Sequence, residues 1–186
     1  MRLRTCALPS KQDLDEAIAA ALAALAAEIG TGRPEPNGRG GFRVRDSGRS
    51  FEMLGSPSMN EIEWWLTDEA WGEDPIRSEL FKDAWGEEAP GNQFNQENFR
   101  LVAARVADDG KRALLSFRED RQGTLRALEA AEAGAVERDR MADLRRQGEQ
   151  AWLRKDYATV RRIYAGLDPN LTRVERKRLD IAVRDG

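Results

Sequence analysis

The chain has 186 residues, 40% of them hydrophobic and 34% charged, with a net charge of −3. That supplies one compact core, or a core with a small appended unit, and excludes complete disorder. A single cysteine, Cys6, and no histidine exclude intramolecular disulfides, multi-cysteine zinc sites and Ser-His-Asp, Cys-His or HExxH chemistry.

No metal or cofactor is therefore expected, and a reducing, cytoplasmic location is. The one long apolar run, Ala17 to Ala27, is mostly alanine and too short to span a bilayer. Asp13, Asp15 and Glu16 stand before it beside Arg2, Arg4 and Lys11, so the basic n-region of a signal peptide is missing.

Ser10 and Asp13 have the spacing of a capping box, and Leu14, Ile18, Leu22, Leu25 and Ile29 recur at helical spacing before Gly30. These predict a first helix over 11–29 with one apolar stripe. The following GTGRPEPNGRGG, residues 30–41, reads as a flexible Gly/Pro loop without regular structure.

Phe42 and Val44 alternate with Arg43 and Arg45, Asp46-Ser47-Gly48 supplies a turn, and Phe51 and Met53 flank Glu52. That is a β-hairpin signature. A second hairpin is expected around Asp109-Gly110, a type I′ turn pair, between 101–106 and 113–117. Its first arm also fits a helix through Phe99, Val102, Ala103 and Val106; the turn favours a strand. Between the hairpins, Ser58 or Asn60 could cap a short helix carrying Ile62, Trp65 and Leu66. Asp74-Pro75 could open another carrying Ile76, Leu80, Phe81 and Ala84.

Beyond Asp120 the chain reads as helix, with Gly134 marking the boundary between an α+β domain, 1–134, and a helical unit, 135–186. Thr172 and Glu175 form a capping box for a last helix carrying Val174, Leu179, Ile181 and Ala182. The expected fold class is α+β and predominantly helical: an N-terminal helix, two β-hairpins in a small antiparallel sheet, a C-terminal helical hairpin and a final helix.

Residues 141–170 resemble one tetratricopeptide repeat, through Leu144, Gly148 at the close approach, Ala151, Asp156-Tyr157 at the turn, Val160, Tyr164, Leu167 and the closing Asp168-Pro169. Gln147 stands at a usual apolar position, Val160 exceeds the usual alanine, and no second copy follows. Such repeats bury their faces only by stacking. The resemblance therefore implies a local shape, a helical hairpin, rather than a peptide-binding groove.

Charge is polarised along the chain: +1 over residues 1–57, −8 over 58–90, 0 over 91–135 and +4 over 136–186. The acidic block also holds Trp64, Trp65, Trp71 and Trp85. Indoles fill cores and also anchor interfaces, and an acidic rim around an exposed one suits a basic protein partner. The candidate partner-binding residues are Glu61, Glu63, Trp64, Asp68, Glu69, Trp71 and Glu73. Alternatively, the block docks on the basic C-terminal helices bearing Arg161, Arg162, Arg173, Arg176, Lys177 and Arg178.

These features point to a non-catalytic protein-binding module. In general character, small, acidic and free of histidine, the chain resembles bacterial immunity proteins, which implies an inhibitor of a basic toxin. Two other classes remain: an enzyme using a carboxylate pair drawn from Glu61, Glu63, Asp68 and Glu69, and a nucleic-acid-associated or phage structural protein. The acidic total and the arginines without interleaved aromatics speak against nucleic acid.

Overall fold

The structure is a computed structural model that describes residues 8–69, 71–72, 74–87 and 92–185; Cys6 and Glu73 lie outside them. The fold is α+β and predominantly helical, and it divides into two compact units, one ending at Ala131 and the other beginning at Glu132. Among the described residues no helix is long and apolar enough to cross a membrane.

The first unit opens with helix α1, Lys11–Ile29. Ser10 Oγ accepts from Asp13 N at 3.1 Å while Asp13 Oδ2 accepts from Ser10 N at 3.3 Å, the reciprocal cap its spacing implies. The helix ends on Gly30, at φ 71°, a left-handed conformation that glycine adopts without a Cβ clash. All five members of the expected stripe are buried.

Five antiparallel strands follow in chain order: β1, Glu35–Pro36; β2, Phe42–Asp46; β3, Arg49–Ser56; β4, Glu61–Asp68; β5, Ile76–Arg77. The β2–β3 hairpin turns through Ser47 and Gly48 at φ 47° and 84°, the paired positive values that match a right-handed strand twist. Residues 30–41 are not a plain flexible loop. Their Glu35–Pro36 pairs with Arg43 and Phe42 as an edge strand, a place where proline's missing N–H costs no ladder bond.

The short helix expected over Ile62, Trp65 and Leu66 is instead β4. Ile62, Trp64, Leu66 and Asp68 are buried while Glu61, Glu63, Trp65 and Thr67 are half-buried, a period of two along the whole segment. The helix after Pro75 starts later than expected: Ile76 and Arg77 pair with Leu66 and Trp65, and helix α2 spans Ser78–Trp85.

The second hairpin around Asp109-Gly110 is absent, because residues 99–119 form one helix, α3, Phe99–Glu119. Phe99, Val102, Ala103, Val106, Gly110, Ala113, Leu114 and Phe117 continue one buried face through the presumed turn. Gly110 serves packing there: an added Cβ would collide with the Phe51 ring.

The sheet therefore has a helix-covered face and a polar face. Val44, Phe51, Met53, Ile62, Trp64 and Leu66 belong to the buried core, and Gly55 lies directly under Leu14 and Ile18 of α1. By register the other face carries Arg43, Glu52, Leu54, Glu61, Glu63, Trp65 and Arg77.

Helix α4, Arg121–Leu153, runs unbroken through Gly134. In the second unit its later turns join α5, Tyr157–Leu167, and α6, Arg173–Asp185, around Ala151, Val160, Ile163, Tyr164, Leu167 and Ala182. Asp156 caps α5 by accepting from Thr159 N at 3.1 Å. Thr172 and Glu175 cap α6 reciprocally at 3.2 and 2.7 Å. Gly148 sits against the ring of buried Tyr164. Val174, placed by sequence on the apolar side of α6, is 59% exposed.

Candidate functional site

Along one edge of the first unit the charges neutralise one another. Asp68 accepts from Arg49 Nε and from Arg121 Nη2, both at 2.8 Å. Asp46 accepts from Arg118 Nε at 2.9 Å and Nη2 at 2.8 Å. The hydrogen bonds from Arg118 hold the Asp46 carboxyl below its ordinary value. On the polar face Arg45 and Arg43 share Glu35 at 2.7 Å each, and their hydrogen bonds lower its pKa in the same way.

Glu52 is buried on that face and accepts from Asn37 Nδ2 at 3.0 Å and from Ser50 Oγ at 3.2 Å. Asn37 Oδ1 in turn accepts from the backbone N–H of Arg39 at 2.9 Å and of Gly41 at 3.0 Å. Lys11 Nζ donates to Gly40 O at 2.8 Å. The glycine-rich turn is thus tied to the sheet through Asn37 and to α1 through Lys11, a local Asx arrangement that holds the backbone at Arg39.

Arg39 projects toward a cleft of about 510 Å³ at the β3–β4–β5 side of the sheet. The cleft is lined by Arg39, Leu54, Glu61, Glu63, Trp64, Trp65, Pro75, Arg77, Ser78, Glu79 and Asn92. The outer edge of β4 is paired at Glu61 by Gln93 and at Trp65 and Leu66 by β5; Glu63 and Trp64 lie between these pairings. Among the described residues, Arg39, Arg77, Glu61, Glu63 and Glu79 enter no ion pair. The arginines at the neighbouring edge, by contrast, are all matched to carboxylates.

The tryptophans separate in the same way. Trp64 belongs to the core, its ring 5.4 Å from Phe51 and 5.5 Å from Phe81. Trp71 and Trp85 pack against that core, and Trp85 lies under Arg112 at 4.1 Å and Lys82 at 5.3 Å. Trp152 packs in the second unit with Arg178 5.7 Å from its ring. Trp65 belongs to neither cluster, and among the described residues no cation stands over it.

The structure brings Glu61 and Glu63 together in the cleft and sends the other sequence-derived candidates elsewhere. Asp68 is not a rim charge: its side chain is 1% exposed and held by two arginines. Trp64 is interior, Trp71 is half-buried on the core, Glu69 is exposed beside Gly48 of the β2–β3 turn, and Glu73 is outside the described residues. Glu61 and Asp68 do not share a face as a helix would have arranged, because odd and even positions of β4 point oppositely. Trp65, Arg39, Arg77 and Glu79 are additions from the fold. The alternation of Glu61, Glu63 and Trp65 was the signal that could have found Trp65. Among the described residues no cluster of three or more acidic or cysteine side chains is placed to hold a metal ion.

Comparison with protein-family models, with curated proteins and with solved structures finds no match.

Proposed function

We propose that this protein is a non-catalytic protein-binding module, of the kind that inhibits a basic partner as immunity and antitoxin proteins do, acting in the cytoplasm. The observation carrying this reading is Trp65. Its indole stands outside both cores, half-buried on a polar sheet face, with the unpaired carboxylates of Glu61 and Glu63 in the same cleft. Large amphipathic rings in desolvating pockets supply most binding energy at interfaces, and surrounding charge sets the partner's sign and the association rate.

The C-terminal helices are read as a single tetratricopeptide-like hairpin closed by α6, a structural element. Ala182 and Leu179 of α6 pack against the hairpin's apolar residues, which in stacked repeats a neighbouring unit would cover.

The test is affinity capture from the source cell with the native chain and with the double variant Glu61→Lys, Glu63→Lys. A basic protein retained by the native chain and lost from the variant is the expected result. Identical recoveries from both would overturn the assignment.

A further inference from the structure

Resting on the reading of the cleft as a protein-binding surface, we infer that what it recognises is one lysine or arginine side chain of an extended partner segment, seated on Trp65 and bounded by Glu61 and Glu63. Same-face residues two apart on a strand stand about 7 Å from one another, so these three side chains form a row of two carboxylates and one indole. That spacing suits one long cationic side chain, its methylenes over the ring and its charge between the carboxylates.

The contrast with the other indoles gives the argument its direction. Trp85 and Trp152 each carry a cation of this chain over the ring, at 4.1 Å for Arg112 and 5.7 Å for Arg178. Trp65 has Arg77 directly opposite in the β4–β5 register, yet Arg77 does not stack on it and makes no ion pair among the described residues. The ring and the carboxylates are therefore left for a cation from outside the chain.

Arg77 and Arg39 complete the seat. A guanidinium without a carboxylate partner has five N–H donors to give, and an extended segment offers its main-chain carbonyls at regular intervals. The backbone at Arg39 is held beside the cleft by the Asn37 turn, itself anchored on Glu52. Specificity for the basic side chain thus lies with Glu61, Glu63 and Trp65, and the hold on the backbone with the two arginines.

The experiment titrates ¹⁵N-labelled full-length protein with two blocked peptides, Gly-Gly-Arg-Gly-Gly and the same peptide with uncharged citrulline for arginine. The readout is the Trp65 indole N–H signal, assigned by Trp65→Phe. The arginine peptide should shift that signal with a Kd at least about tenfold below that of the citrulline peptide, and Glu61→Gln with Glu63→Gln should abolish the preference. Equal shifts by both peptides would overturn the cation seat while leaving a binding surface in place. A stronger response to Gly-Gly-Glu-Gly-Gly, or no response to any peptide, would also overturn it. The capture experiment decides the broader reading independently.

Discussion

Arg49 and Asp68 face one another directly across the β3–β4 ladder and join at 2.8 Å, with side chains only 10% and 1% exposed. Arg121 reaches the same carboxylate, so Asp68 ties the end of the sheet to the start of α4. Removing one member of a buried pair strands the other charge. Asp68→Ala should cost about 3–5 kcal/mol in urea unfolding. A loss below about 1 kcal/mol would show the network to be solvated.

Asp46 lends the fold an acid-side dependence. Its pKa is lowered from 3.8, first by the hydrogen bonds from Arg118. A folded-state value below the unfolded one contributes stability above the unfolded pKa, and that contribution is lost as pH falls through the folded value. Arg118→Gln should therefore flatten the decline in unfolding midpoint between about pH 5 and about pH 2. An unchanged slope would remove Asp46 from the account.

Two glycines mark close approaches rather than turns. Gly148→Leu would drive a side chain into Tyr164, and Gly110→Ala would press a methyl group against the Phe51 ring. Each should lower stability by about 1–3 kcal/mol through overpacking. Unchanged midpoints would show that the neighbouring rings can move aside.

These glycines also show what could be read from the sequence. The first helix, the β2–β3 turn and the α6 cap were legible because capping boxes, stripes and Ser-Gly turns act within a few residues. Asp109-Gly110 misled because a glycine chosen for contact with Phe51, far away in sequence, looks the same as one chosen for a turn. The segment around Trp65 misled because Ile62, Trp65 and Leu66 satisfy helical spacing while the full run alternates, and the pairing with β3 decides between them. On a helix, residues seven apart such as Glu61 and Asp68 would share a face. With β4 as a strand, Asp68 faces Arg49 and the cleft gains Trp65. Arg39 could not be placed from sequence, since its position depends on Asn37 finding Glu52.

If Trp65 serves a partner rather than the fold, the protein should tolerate its loss. Trp65→Thr keeps a good strand former on the polar face, and its unfolding free energy should stay within about 0.5 kcal/mol of the native value. A loss of more than about 2 kcal/mol, the range of buried large side chains, would mark the indole as core.

The most direct measurement is photo-crosslinking in the source cell, with a benzophenone amino acid in place of Trp65 and, as control, in place of Ala20, which is exposed on α1. One discrete adduct with a basic protein from the Trp65 position, and none from the Ala20 position, is the expected result. No adduct from the Trp65 position, or the same adducts from both, would contradict the assignment of the cleft as the partner's seat.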